Sequence, residues 1–175
     1  MKFTIDDEIA FPIDDVFPAY RDKLHCMIDN MGNVERIEVK SREVDGDVVR
    51  LLNHWYGVSS DIPAALRPVL KPDMLSWLDK ATWDESKHRC DWDITLPALP
   101  DAITAKGFTL YKDDGDVTIV QISGEFLIHP DKIPGVPTFV AKRLAPTLEK
   151  FVVGLLQPNL KKSNKAVEEY LEDQE

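Results

Sequence analysis

The sequence predicts a single α+β domain, in which an antiparallel sheet comes first and a long helix ends the chain. Apolar and polar residues alternate in about seven segments, as they do in strands with one buried face. Asp-Gly turns join several of these segments, which is typical of hairpins. From about Pro137 the apolar residues recur at three- and four-residue spacing, the pattern of an amphipathic helix. A chain of 175 residues suffices for one sizeable core.

The first predicted strand runs from Phe3 to Phe11, where the odd positions are mostly apolar, and Pro12 ends it. A helix that Asp14 caps is predicted to follow and to continue until Gly32 stops it. Pro18 lies near its first turn or divides it into two short helices.

The middle of the chain predicts three hairpins. Gly124 within the last strand predicts a bulge or a bend. Between the first two hairpins, residues 57–72 predict a short apolar helix or a lid, which Pro68 keeps short. The six predicted strands are Val34 to Val44, Val48 to Tyr56, Met74 to Trp83, His88 to Leu96, Ile103 to Lys112 and Val117 to Ile128.

The C-terminal helix carries one broad apolar stripe that continues past Pro158. Pro146 and Pro158 are each expected to kink or interrupt it, because proline removes a backbone hydrogen bond. The acidic end from Glu168 to Glu175 is expected to fray. No internal repeat or low-complexity linker is visible, so we expect one domain over residues 1–175.

Charge and motifs exclude several functional classes. The 31 acidic residues outnumber the 21 lysines and arginines, and the net charge of -10 disfavours nucleic acid as a partner. No apolar run has the length of a membrane span, and no signal peptide is visible, so we expect a cytoplasmic protein. The two cysteines, Cys26 and Cys90, lie far apart and predict free, buried thiols and no zinc site. No phosphate loop, nucleophile elbow or dinucleotide motif is present, so we expect no cofactor.

The run Ile9-Ala10-Phe11-Pro12-Ile13-Asp14-Asp15-Val16-Phe17 takes a strand through a proline into a helix. Together with the order of the elements, it resembles the START-like, polyketide-cyclase-like (SRPBCC) superfamily over nearly the whole chain. The run Arg50-Leu51-Leu52-Asn53-His54-Trp55-Tyr56-Gly57 is similar to the strand that ends before a lid in PRELI-type phospholipid-transfer domains. The superfamily resemblance implies the helix-grip fold, a curved antiparallel sheet wrapped around a long C-terminal helix.

The same resemblance implies a cavity between sheet and helix that binds or transports a lipid-like or other apolar small molecule. An apolar void favours such a ligand, but the same side chains can instead close into a filled core. The implied lining residues from the sheet are Trp92, Ile94, Phe108, Leu110, Val120, Ile122 and Phe126, and those from the helix are Val140, Leu144, Leu148 and Phe151.

Four polar residues are candidates for orienting a ligand or for acid-base chemistry. Asp7 and Asp79 fall on the apolar faces of their predicted strands, where a carboxylate is costly unless it is paired. Arg50 alternates with Val48 and Leu52 and can pair with one of these acids or with a ligand anion. His54 precedes Trp55 at the end of its predicted strand that lies nearer the mouth of the cavity. Each also has a structural reading: a bulge or edge for the acids, a surface arginine, and a structural histidine.

Three functions remain open at this point. The first is a non-enzymatic binder of an apolar or amphipathic molecule. The second is a cofactor-independent cyclase or aromatase, which requires at least two of Asp7, Asp79, His54 and Arg50 to converge in one pocket. The third is a protein-interaction module with a filled core and an exposed apolar patch around Ile62 to Leu70. The four tryptophans, Trp55, Trp77, Trp83 and Trp92, are core anchors or a stacking surface for a ring-bearing ligand.

Overall fold

The structure, a computed structural model, describes all residues except 59, 61, 69 and 175; at 152, 153 and 155–160 it describes the backbone only. Seven antiparallel strands form one curved sheet in the order β1-β7-β6-β5-β4-β3-β2, which confirms the predicted antiparallel sheet. The strands are β1 (Lys2–Ile9), β2 (Val34–Asp45), β3 (Val48–Gly57), β4 (Ser76–Asp84), β5 (Arg89–Thr95), β6 (Ile103–Asp114) and β7 (Val117–Ile128).

Two α-helices complete the fold: α1 (Ile13–Lys23) between β1 and β2, and α2 (Thr138–Glu172) after the sheet. The first helix is shorter than predicted, because the chain after Lys23 forms two 3-10 turns, Leu24–Cys26 and Ile28–Asn30. Met27 and Met31 are nevertheless buried. Tight turns keep the predicted apolar side chains in the core without a continuous helix.

The helix α2 runs without interruption from Thr138 to Glu172, so the expected interruption at Pro146 or Pro158 is wrong, and the alternative, a kink, stays a prediction. Burial of Leu148 and Val167 on its apolar side stabilises the helix against the backbone hydrogen bonds that the prolines remove. Tyr170 packs against the core near the acidic end, whose fraying stays a prediction. None of the described helices combines bilayer-spanning length with a sufficiently apolar sequence.

The buried apolar residues form two clusters. The larger one joins α1 and the concave face of the sheet to the last turns of α2, where Ala166 and Val167 are fully buried. The smaller one joins residues 62–70 and 99–103 to Leu148 of α2. The buried residues are therefore packed in two separate clusters, and the middle of the concave face lies between these clusters.

The glycine pair Gly107 and Gly124 makes room for Trp92. The two glycines face each other across β6 and β7, and the register on both sides of Gly124 is continuous, so the predicted bulge is wrong. A Cβ atom on Gly124 would lie 2.5 Å from Cη2 of Trp92, and one on Gly107 would lie 2.7 Å from Cζ2. The glycines are needed because the indole lies directly on the backbone of the sheet.

We expect Gly124→Ala to lower the free energy of unfolding by about 2 kcal/mol, because the indole of Trp92 must move to admit the methyl group. Urea unfolding measures the change. Gly154→Ala is the matched control, because a Cβ at this helical position would have no atom of the described part of the chain within 4 Å, and it should be neutral or slightly stabilising. Equal stabilities for the two variants would contradict the packing argument.

Hydrogen bonds of polar side chains connect the C-terminal part of α2 to β1 and α1. The amide nitrogen of Asn164 donates to Oδ2 of Asp7 in β1 at 2.7 Å, and the hydroxyl of Tyr20 in α1 donates to Oδ1 of Asn164. One turn later, Oε1 of Glu168 accepts the backbone N–H of Ala10 at 2.9 Å. Asp7 thus faces the interior as its strand pattern predicts, without a bulge in β1. These bonds hold the C-terminal part of α2 against β1 and α1.

Asn164→Ala is expected to lower the free energy of unfolding by about 2 kcal/mol, because the carboxylate of Asp7 and the hydroxyl of Tyr20 both lose their partner. Thermal and urea unfolding measure it. The neighbouring Lys165→Ala removes only an exposed ion pair with Glu169 and should change stability by less than about 0.5 kcal/mol. A loss at Lys165 as large as that at Asn164 would contradict a specific role for the buried amide.

Candidate ligand-binding cavity

A cavity of about 340 Å³ lies between the concave face of the sheet and α2, in the gap between the two core clusters. Its walls are almost entirely apolar and aromatic. Leu148 and Phe151 of α2 cover it, and Leu70, Met74 and Leu75 close it beside the start of β4. The interior is therefore not a filled core.

Most of the residues predicted to line a cavity do line this one. Those on the strands lie on the concave face because they occupy one set of alternate positions along each strand, and the other two lie on α2. The predicted residues that do line it are Trp92, Ile94, Val120, Ile122, Phe126, Leu148, Phe151 and Asp79. Leu144 instead packs against the smaller core cluster, and Val140 is not part of the wall. Contact of any of these residues with a ligand stays a prediction.

Three predicted lining residues lie on the opposite face of the sheet, so their expected inward orientation is wrong. Arg50 is half exposed and its Nη1 lies 3.6 Å from Oδ2 of Asp45. The ring of Phe108 packs under the guanidinium of Arg89, with Cζ 4.1 Å from the ring centroid, and Leu110 pairs with Arg89 on the same face. Both faces of these strands carry apolar residues, so alternation alone does not determine which set faces inward.

All four tryptophans, Trp55, Trp77, Trp83 and Trp92, line the cavity. The rings of Trp55 and Trp77 are stacked at 15° with centroids 5.8 Å apart. Trp92 stacks on Phe3 and donates its indole N–H to Thr109 at 3.3 Å. Trp83 is also buried in the larger core cluster, and Trp55 and Trp92 pack against that cluster, so the role of core anchor is confirmed for these three. A stacking role toward a ligand stays a prediction.

A second cavity of about 450 Å³ lies between α1 with the following turn and strands β2 to β4. Its rim is charged: Asp22 accepts bonds from Arg21 at 2.7 Å and from Arg42 at 3.2 Å. Arg42 reaches this side because a register shift between Val39 and Ser41 in β2 turns it toward the concave face, opposite Leu51. Sequence analysis missed this rim, since regular alternation does not anticipate the shift.

The two cavities meet at a small polar site on the wall. Their linings have Tyr20, Leu24, Trp55, Asp79 and Trp83 in common. The second cavity also reaches the amide of Asn53, which is paired with Asp79 across β3 and β4. The register of β4 is continuous on both sides, so Asp79 faces the interior as predicted.

Asp79 is a carboxyl group in apolar surroundings. Burial raises the pKa of Asp79 from 3.8 to about 7, and the nearby indole of Trp55 and amide of Asn53 oppose that rise only in part. Oδ1 of Asp79, Oδ1 of Asn53 and Nε1 of Trp55 have no hydrogen-bond partner within the described residues. The carboxyl is therefore poised to change protonation near neutral pH.

The other titratable groups that line the 340 Å³ cavity, Tyr20, Cys90 and Tyr111, stay neutral at physiological pH. Burial raises the pKa of the thiol of Cys90, and the pKa values of Tyr20 and Tyr111 are raised for the same reason. Cys26, by contrast, is exposed, so the expectation of two buried thiols holds only for Cys90. Across the described part of the chain, no group of three His, Cys, Asp or Glu side chains is placed to hold a metal ion.

The predicted acid-base set does not assemble. Of Asp7, Asp79, His54 and Arg50, only Asp79 lines either cavity. His54 faces outward and its Nδ1 lies 2.9 Å from the hydroxyl of Tyr56. The hypothesis that two of these four converge in one pocket is therefore wrong.

The large apolar side chains expected to form an exposed patch around Ile62 to Leu70 are mostly buried. Ile62, Leu66 and Leu70 all lie in the smaller core cluster, whereas the small Ala64 and Ala65 are exposed. The interaction-module hypothesis stays a prediction.

Solved structures resemble the whole chain. A protein of Thermus thermophilus is 19% identical with a TM-score of 0.67, and the match covers 95% of this chain and 97% of that one. An aromatase/cyclase of Streptomyces sp. R1128 is 14% identical with a TM-score of 0.60 and 95% coverage of both chains. The chain has the START-like helix-grip fold. At these identities the likeness establishes the fold alone.

A third structure with this fold, norcoclaurine synthase from Thalictrum flavum, is 15% identical with a TM-score of 0.58, and the match covers 98% of this chain and 86% of that one. No protein-family model matches the chain, and no curated protein sequence matches it. The narrower likeness to PRELI-type domains stays a prediction.

Asp79→Asn is expected to stabilise the protein above neutral pH and to have little effect near pH 4. The folded carboxyl keeps its proton up to about pH 7, whereas the unfolded one loses it near 3.8, so the wild type loses stability as pH rises between these values. The full difference corresponds to about 4 kcal/mol.

Urea unfolding of wild type and Asp79→Asn between about pH 4 and pH 8 tests this dependence. Asp116→Asn is the control, since its carboxylate is exposed in the turn between β6 and β7 and is not among the groups that shift the pKa of Asp79. Stability curves that stay parallel for wild type and Asp79→Asn would show that the pKa of Asp79 is not raised in the folded state.

Proposed function

We propose that this protein binds a ring-bearing apolar or amphipathic small molecule in the cavity between its sheet and α2. The observation that carries the proposal is the open space of about 340 Å³ walled by four tryptophans. Native interiors are close-packed, and voids much larger than a water molecule are few. An apolar cavity of this size favours an apolar guest over water.

The size and the lining of the cavity define the class of ligand. Pockets for small molecules occupy about 300 to 1,000 Å³, so this cavity suits a compact molecule of one to three rings. The indole rings of Trp55, Trp77 and Trp92 on the wall suit a ligand with flat aromatic surfaces. The aromatase/cyclase with the same fold, whose name describes chemistry on rings, supports this ligand class.

Proton transfer to and from a bound substrate is a second candidate function, and Asp79 favours it. A carboxyl whose pKa lies near 7 both accepts and returns a proton at neutral pH. Asp79 lies on the wall where the two cavities meet, within reach of a guest. Turnover of a bound compound that Asp79→Asn abolishes without loss of binding would distinguish this enzyme from a carrier.

Ile94→Trp tests the binding function because the added ring fills the cavity. We expect it to weaken binding of N-phenyl-1-naphthylamine, an uncharged dye that fluoresces in apolar surroundings, by at least about tenfold. Dye fluorescence and quenching of the protein's tryptophans measure the affinity.

Leu127→Trp is the control for this experiment. Leu127 is exposed on β7 and does not line the cavity, so the same added ring there should leave the affinity unchanged. Circular dichroism establishes that both variants are folded. Failure of the wild type to bind the dye, or equal binding by Ile94→Trp, would overturn the proposed function.

A further inference from the structure

We propose that the Asp79–Asn53 site at the junction of the two cavities binds the protonated amine of a ring-bearing ligand. The inference rests on the proposed function, since it assigns a chemical class to the molecule that occupies the cavity. The apolar wall recognises the rings, and the polar site recognises the nitrogen.

The site offers two adjacent hydrogen-bond acceptors. Asn53 and Asp79 are directly paired across β3 and β4, so their side chains leave the same face of the sheet about 5 Å apart. Oδ1 of each is buried and has no hydrogen-bond partner within the described residues. An ammonium group has several N–H donors and no acceptor, so it satisfies both oxygens at once.

The ionised form of Asp79 also requires a positively charged partner. An ionised carboxylate in apolar surroundings is unfavourable unless it is paired. The described part of the chain places no lysine, arginine or histidine in an ion pair with it, and its one charged influence is the carboxylate of Asp93. A ligand cation supplies the missing partner, whereas a neutral hydroxyl leaves the charge uncompensated and an anion worsens it.

The surroundings of the site are suited to a cation in two further ways. The rings of Tyr20, Trp55 and Trp83 border it, and aromatic faces attract an ammonium group. The net charge of -10 raises the local concentration of cations around the whole protein. The two arginines of the charged rim, Arg21 and Arg42, are both paired with Asp22, which offsets part of their repulsion.

The arrangement predicts a pH dependence with a definite sign. Burial holds the pKa of Asp79 near 7, so ionisation of the empty site is completed above neutrality, while an alkylamine with a pKa of about 10 stays protonated. Affinity for the amine should therefore rise from pH 5 to pH 8. The groups that face Asp79 change little in this range, because Cys90, Tyr20 and Tyr111 stay neutral.

His25 and the paired residues of the rim are the remaining titratable groups around the junction. His25 lines the second cavity with Arg21, Asp22 and Arg42. A positive charge on His25 would repel a bound cation. His25→Gln therefore has to be measured alongside, and the pH dependence should persist in it.

Two matched probes test the inference: 2-(2-naphthyl)ethylamine and 2-(2-naphthyl)ethanol, which share the ring and differ in the charged group. Isothermal titration calorimetry at pH 5, 7 and 8 gives their affinities. We expect the amine to bind at least about tenfold more tightly at pH 8 than at pH 5, and the alcohol to bind equally at all three.

The variants assign the effect to one carboxylate. Asp79→Asn should weaken binding of the amine at pH 8 by at least about tenfold and remove its pH dependence, because the amide keeps the shape and loses the charge. Binding of the alcohol should change less than about threefold, which establishes that the cavity is intact. Asp116→Asn removes an exposed charge in the turn between β6 and β7 and should leave both affinities nearly unchanged.

The outcomes separate this inference from the function on which it rests. If N-phenyl-1-naphthylamine binds but the amine binds no tighter than the alcohol, or Asp79→Asn leaves the amine unaffected, the amine site is overturned and the cavity remains. If neither naphthyl probe nor the dye binds, both proposals are overturned.

Discussion

The hydrogen bonds of Asn164 hold the C-terminal part of α2 against the sheet, and the position of the cavity under α2 depends on this attachment. They tie the last third of α2 to Asp7 in β1 and Tyr20 in α1, and this end of the helix packs tightly on the sheet. The earlier part of α2, which carries Leu148 and Phe151, lies over the concave face beside the smaller core cluster. The cavity lies between these two packed ends, because one helix spanning a broad curved sheet cannot fill all the space beneath it.

The same interior combines two opposing requirements. Most of the wall gains stability from aromatic burial, as in the contact of Trp92 with the backbone at Gly107 and Gly124. Asp79 opposes this gain, because its carboxyl is buried and none of the described residues supplies a counter-ion. Local conflicts of this kind are expected at functional sites, where a protein keeps a group that folding alone would not select. The position of Asp79 where the cavities meet motivates both proposals made above.

The alternation of apolar and polar residues predicted some inward-facing side chains correctly and others wrongly. The outcome depended on whether the strand is regular and whether only one of its faces is apolar. Asp7 and Asp79 face inward because β1 and β4 are regular, so their neighbours' pattern applies to them directly. Phe108 and Leu110 face outward because β6 carries apolar residues on both faces, and a period of two does not choose between them. Arg42 was missed because the register shift in β2 exchanges the two faces partway along the strand.

The sequence by itself determined the order of strands and helices, the acidic charge and the apolar stripe of α2, because these depend on local patterns of residues. Only the tertiary structure decided that the interior is open, that Asn53 lies beside Asp79 and that a charged rim leads into a second cavity. Those features depend on distances between elements remote in the chain. Such distances follow from the packing of all side chains together, which no local pattern encodes.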